Sequence, residues 1–388
     1  MKMQRYYMED WLNDSRDVAF NLSASGCQDF YLHEFLNLCQ VDLQTLPPIF
    51  LGDNDTRGSL RLREAICASY EHVRLEDVLV TNGSSEALFV FSNELLEPGD
   101  EVVIPFPAFQ CLYQIPIAIG CQVKFLPLLE CAQWKLDIEK LAELVTPNTK
   151  LIIINTPHNP IGWTLMPEEL RQIAMIARQH DCYLLFDEHY RYLPLTPGNQ
   201  LIPSGYDLCR PIHARTYATG SMIKCFGIVG LRIGWLIGDP AFLAKCRDYK
   251  DYLTHTTPAI TDYLAYLALK NQAALIAFHK ARILQNLAAL NAFMRHNADL
   301  FEYVEPTGGI VCFPKLRQGR DATSFCEGVW QQCQVSLLPG FAFEVPGHFR
   351  LNFGIDPEKF ERALELIQQY LPTLSGCLKN SPEGAACL

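Results

Sequence analysis

The chain has 388 residues, 49% hydrophobic and 19% charged, with a formal net charge of −11. That composition suits a large folded core, and the length suits two domains or one large domain with a smaller companion. The acidic balance excludes nucleic acid as the main partner, because no basic run could neutralise phosphates, and no apolar run approaches the ~20 residues of a membrane span.

The fifteen cysteines contain no CxxC pair, and no His/Cys cluster has zinc spacing, so no metal site is expected. The N-terminus, MKMQRYYMEDWLND, is polar and acidic and does not read as a signal peptide. We read the cysteines as small buried residues of a reducing, cytoplasmic compartment.

In chain order, SLRLREAICASYEH (59–72) predicts an amphipathic helix, and DVLVTNG (77–83) a short strand ending in a turn. SSEALFVFSNELL (84–96) predicts a helix that opens on hydroxyls. EVVIPF (101–106) and KLIIINTP (150–157) predict strands. PEELRQIAMIARQH (167–180) predicts a helix with an acidic first turn, and CYLLFDE (182–188) a strand ending in two acids. TYATG (216–220) and IGWLIG (233–238) predict two further strands. Apolar strands separated by helices imply an α/β fold, with a mostly parallel sheet covered on both faces. Beyond it, 273–298 has a long helical pattern. GGIVCFP, VSLLPG and FRLNFG are strand candidates, and EKFERALELIQQYL (358–371) is helical. We expect a large domain over 46–270, a smaller α+β domain from 1–45 and 271–375, and a flexible tail at 376–388.

Ligands of open parallel sheets bind beyond the carboxyl ends of the strands. TNGSSEA puts Gly83, Ser84 and Ser85 at a strand-to-helix turn, where free N–H groups suit a phosphate; a plain N-cap serine fits as well. NTPHNPIG (155–162) is turn chemistry, yet Asn159 is placed to hydrogen-bond a ligand. Asp187 ends an apolar strand, where a carboxylate is costly unless paired; a salt bridge to one of the chain's own arginines would also explain it.

The stretch TYATGSMIKCFGIVGLRIGWLIG (216–238) has only two charges, Lys224 and Arg232. S-x-x-K also occurs in serine acyl-transfer enzymes, with Ser221 as nucleophile, but the companion S-D-N and K-T-G elements are missing. The other reading is a Schiff-base lysine, with Arg232 and Ser221 binding a phosphate.

The order GSSEA, NTPHNP, DEHY, S-M-I-K with GLRIGW, then R-L-N-F-G resembles the fold-type I pyridoxal-phosphate enzymes, the class I/II aminotransferase family, from about residue 50 to 355. The resemblance implies pyridoxal 5′-phosphate as cofactor and an amino acid as substrate. It makes Lys224 the Schiff-base lysine and proton shuttle, and Asp187 the partner of the pyridine nitrogen. Asn159 and Tyr190 would hold the phenolic oxygen. Ser84, Ser85, Ser221 and Arg232 would form the phosphate cup, with Phe109 stacked on the ring. Arg350 would grip the substrate carboxylate, with Ser25 and Gly26 in a segment that closes over it. A homodimer with its sites at the interface is implied too.

The family often has an aromatic five residues before the glycine of G-x-x-x-L-R. Here that glycine is Gly58 and the position is Asp53, in the acidic stretch LGDNDTRG. This is either a solvated loop or, with Glu9 and Asp10, a set of acids that recognises a cationic substrate such as a guanidinium. DEHYRYLP, PHNPIGW and LSASGCQDF are similar to the branch that contains capreomycidine synthase and related arginine cyclases. That resemblance implies cyclisation of a hydroxylated arginine into a cyclic guanidine amino acid. The alternatives are an ordinary aminotransferase using a 2-oxo acid, and a regulatory domain that binds the cofactor without catalysis.

Overall fold

A computed structural model describes residues 2–45, 48–195 and 201–376. The expected tail lies, apart from Gly376, outside the described residues.

The centre is a seven-stranded sheet: β1 (Val78–Thr81), β2 (Glu101–Phe106), β3 (Gln122–Pro127), β4 (Thr149–Asn155), β5 (Tyr183–Asp187), β6 (Thr216–Gly220) and β7 (Gly234–Ile237). Their spatial order is β1-β7-β6-β5-β4-β2-β3. β7 runs antiparallel to both neighbours, and the other pairings are parallel. The sheet separates two apolar layers. Leu79, Val102, Ile104, Leu151, Ile153 and Leu185 belong to one buried cluster, and Val80, Val103, Ile152, Ile154, Leu184 and Phe186 to the other. A strand sends alternate side chains to opposite faces, so near-continuous apolar runs are what a doubly covered sheet requires.

Beyond the sheet, Val311–Cys312 and Leu338–Pro339 pair antiparallel with the two edges of Phe349–Asn352. Phe20–Asn21 runs parallel to Val335–Ser336. The long helix Gln272–His296 packs against Pro357–Gly376. Among the described residues every cysteine is unpaired, and no helix is long and apolar enough to cross a membrane.

This arrangement brings strand ends that are distant in sequence to one rim. Asn155, Asp187 and Thr219 sit in register near the carboxyl ends of β4, β5 and β6. The N-terminal helix Tyr7–Asp14 and the segment after Phe20–Asn21 cross that rim.

Candidate active site

A cavity of about 600 Å³ opens at the rim, lined among others by Glu9, Ser25, Gly26, Ser85, Phe109, Lys224 and Arg232. Lys224 lies four residues past β6. Ser221 braces the turn by donating its hydroxyl to the Ile233 carbonyl at 2.7 Å and accepting the Ile223 N–H at 3.3 Å. Lys224 Nζ donates to Ser25 Oγ at 3.0 Å, with the Phe109 and Tyr190 ring centres 5.6 and 5.7 Å away. Burial, then the positive field of Arg350, pushes the Lys224 amine down to about 8; Asp187 opposes this and Arg232 adds to it. The amine is therefore far more available as a free base near neutrality than an exposed lysine.

Arg232 adopts φ +51° and packs its guanidinium onto Gly83, where an added Cβ would stand 2.8 Å from Nη2. Gly83 itself has φ +80°, so any side chain there is strained as well as crowded. The arginine is thereby held at the start of the helix Ser84–Leu95, whose first N–H groups have no intrahelical acceptor. A guanidinium beside a helix N-terminus forms a cradle for an anion. Ser85 faces this cavity. Ser84 and Ser221 do not line it.

The segment Ser23–Cys27 lies over a fully buried polar layer. The Tyr190 hydroxyl donates to the Ser25 carbonyl at 2.8 Å. Arg350 donates from Nη2 to the Ser23 carbonyl at 2.7 Å and from Nη1 to Asn159 Oδ1 at 2.9 Å. Arg350 Nε and Asn159 Nδ2 are buried without a partner among the described residues. Such orphaned donors are costly, which fits groups shaped for a ligand. The Cys27 N–H donates to the Lys224 carbonyl at 2.7 Å, and Asn352 Nδ2 to the Gly26 carbonyl at 2.9 Å, so this segment is pinned to the site.

Asp187 is fully buried. It accepts from Thr219 Oγ1 at 2.9 Å, His189 Nδ1 at 3.1 Å and Asn155 Nδ2 at 3.2 Å. Burial alone would raise its carboxyl, but His189, Thr219 and the Lys224 charge outweigh it and hold it below the usual range.

The N-terminal helix Tyr7–Asp14 brings Glu9 to the cavity wall, while Asp10 turns to Arg5 at 2.6 Å. The helix is fixed by Trp11 Nε1, which donates to the Leu337 carbonyl at 2.8 Å, and by a buried chain of hydroxyls, Ser15–Ser336–Ser23. Asp53 is exposed and does not line the cavity of its own chain; its neighbour Asp55 pairs with Arg63 at 3.3 Å.

Sequence reasoning assigned no role to several residues here. Tyr6 contacts Cys111 through its hydroxyl, 3.3 Å from Sγ, and nothing in the sequence marks either. Asn155 and Thr219 carried a usable signal: Asn155 ends β4 and Thr219 is the last residue but one of β6, the strands on either side of the one that ends in Asp187.

These features fit pyridoxal 5′-phosphate: a lysine amine pushed toward its free base, a buried carboxylate held below the usual range, an anion cradle and an orphaned amide.

The sequence matches the model of aminotransferase class I and II over residues 51–367. It is 27% identical to capreomycidine synthase from Streptomyces vinaceus over 374 residues, 94% of this chain and 93% of that protein. The structure is similar to that of a PLP-dependent aminotransferase from Streptococcus suis 89-1591, with a TM-score of 0.88 and 29% identity, covering 96% of this chain and 99% of the other. It is also similar to that of the PLP-dependent cyclase OrfR, with a TM-score of 0.87 and 28% identity, covering 96% and 98%. With the match spanning most of the chain and the fold agreeing throughout, the protein belongs to the class I and II aminotransferase family and is a pyridoxal-5′-phosphate-dependent enzyme of that fold.

Proposed function

We propose that this enzyme is a cyclase of dehydratase type, which converts a hydroxylated L-arginine into a cyclic guanidine amino acid for secondary metabolism. The observation that carries the reading is the polarity of the cavity. In this reading Arg232 serves the cofactor phosphate and the buried Arg350 the substrate carboxylate, while the carboxylate of Glu9 stands in the cavity wall. A substrate with an anionic head and a guanidinium tail complements that layout. Similarity to a capreomycidine synthase and to a PLP-dependent cyclase supports it.

In this reading Arg232 and Ser85 hold the cofactor phosphate, with Ser84 contributing through the helix start and Ser221 bracing the turn behind them. Asp187 holds the pyridine nitrogen, Asn159 and Tyr190 the phenolic oxygen, and Phe109 the ring face. Bound pyridoxal phosphate supplies a carbonyl carbon for an amine and an electron sink for the charge left at Cα. Arg350, with Ser25 and Gly26 beside it, holds the substrate carboxylate, and Glu9 the guanidinium. Lys224 Nζ takes the Cα proton. The side-chain hydroxyl then leaves as water, carrying away a proton from Lys224. A guanidine nitrogen adds to the carbon it left and gives up a proton to Lys224, which delivers that proton to Cα. A hydroxyl on Cβ leaves directly and gives a six-membered ring. A hydroxyl on Cγ needs loss of a Cβ proton as well and gives a five-membered ring, with Lys224 as the second base.

The chain acts as a homodimer in this reading. Phe50 and Leu51, 82% and 83% exposed beside Asp53, are apolar surface that a second copy would cover. Asp53 then serves the partner's site, and the dimer works in the cytoplasm.

The test is mass spectrometry of the purified enzyme with arginine, 3-hydroxyarginine and 4-hydroxyarginine, each with and without 2-oxoglutarate. Loss of one water without any keto acid is the expected result, and the reacting isomer fixes the ring size. Amino-group loss that depends on the keto acid would instead establish an aminotransferase, the reading favoured by the similarity to the Streptococcus suis enzyme.

A further inference from the structure

One buried histidine is left unused by this chemistry. His189 is 3% exposed, and its Nδ1 stands 3.1 Å from Asp187 Oδ1. An ionised carboxylate can only accept, so Nδ1 carries the hydrogen. Nε2 has no hydrogen-bond partner among the described residues. The imidazole packs on the Tyr190 ring with centroids 4.2 Å apart, and the Cys225 thiol donates to the His189 carbonyl at 3.1 Å. A polar ring in such a place forfeits hydration at one nitrogen, so its one hydrogen bond is its evident use.

Asp187 offers about four acceptor positions. His189 and Thr219 take two at Oδ1, and Asn155 takes one at Oδ2. One remains for a ligand. Two of these three donors are a hydroxyl and an amide, and the third is the imidazole N–H of His189. Among the described residues, the other charged or titratable groups around the pair are Lys224, His158 and Cys111, which interact with Asp187 through their fields, and Tyr190 and Cys225, which touch His189.

We propose that His189 is a positioning residue: its Nδ1–H keeps Asp187 ionised and aimed, and so keeps the pyridine nitrogen of the cofactor protonated. The inference rests on the assignment of Asp187 to that nitrogen. Without the His189 hydrogen bond, a carboxyl this buried would retain its own proton and become a weaker partner for a pyridinium. The electron sink would weaken with it.

The experiment reconstitutes apo-enzyme with pyridoxal phosphate labelled with ¹⁵N in the ring and follows the nitrogen resonance from about pH 6 to 9. Wild type should show a protonated nitrogen throughout. His189→Phe, which keeps a ring but no N–H, should move the resonance toward neutral pyridine and weaken cofactor binding about tenfold, read by fluorescence of the apo-protein. His189→Asn, which restores an N–H, should return both toward wild type. A role in packing alone would lower the melting temperature of His189→Phe and leave the nitrogen protonated; that result overturns the inference while leaving the Asp187 assignment intact. A neutral nitrogen in wild type overturns both. Should His189→Phe fail to fold, wild-type enzyme labelled with ¹⁵N-histidine decides the matter. His189 Nδ1, identified by its absence in His189→Asn, must be protonated, and an unprotonated Nδ1 ends the proposal.

Discussion

Lys224 meets opposing demands from its neighbours. Burial disfavours its charge, Arg350 and Arg232 repel it and Asp187 attracts it, and the balance shifts the amine toward its neutral form. The folded-state value of about 8 lies below that of an unfolded chain, so the fold releases the proton over a range where the open chain would keep it. Apo-enzyme should therefore gain stability as pH rises from about 8 toward the lysine reference value. The rate at which it captures pyridoxal phosphate should climb through the same midpoint, which stopped-flow absorbance would reveal; a rate flat from pH 7 to about 9 would contradict the depressed amine. Lys224→Ala should lose the bound-cofactor absorbance and roughly 10²–10⁴-fold or more of the activity, the span expected for removing an acid–base group. Its circular dichroism should stay that of wild type. Retained turnover would remove Lys224 from the chemistry.

The helices and strands explain why the site was partly legible. GSSEA, DEHY and S-M-I-K lie at strand ends or just beyond them, where apolar periodicity stops and chemistry begins, so those residues stood out. The ends of the predicted strands β1, β2 and β4 to β7 agree with the sequence pattern within a residue or two. β3 was missed, because this edge strand shows solvent at most positions and ends in proline, leaving no apolar run to read. The N-terminal helix was equally silent. Only eight residues long, it is held by Trp11 reaching Leu337, 326 positions away. Trp11 also meets Trp330 and Phe341 edge-on, at 5.7 and 6.1 Å between ring centres. Trp11→Ala should cost about 3 kcal/mol in denaturant unfolding. It should also raise KM for the amino acid more than the Kd for the cofactor, because this helix carries Glu9 and none of the proposed phosphate contacts. A loss confined to stability would free the helix from any part in substrate binding.

At the scale of the molecule, the separation between Asp53 and its own cavity sets a subunit test. If Asp53 works across a dimer interface, Asp53→Asn and Lys224→Ala impair different halves of one composite site. Mixing the two variants should then regenerate sites that carry neither change, and activity at low substrate should rise above that of either parent. A mixture no better than the average of its parents would confine Asp53 to a solvated loop. The sequence offered no way to tell these apart, since an acidic stretch reads the same on a free surface and on one that faces a second copy.

The contact between Cys27 and Lys224 has a practical consequence. The N-terminal segment rests on the carbonyl oxygen of Lys224 as well as on its amine, and the carbonyl belongs to every residue type. Trimming the lysine side chain removes the reactive nitrogen and leaves that backbone seat in place. Crystals of Lys224→Ala grown with cofactor and a hydroxyarginine would thus arrest the reaction before its first proton transfer, under a segment still fastened as in the native enzyme. The tail of the trapped molecule would show directly which carboxylates, and from which subunit, surround the guanidinium.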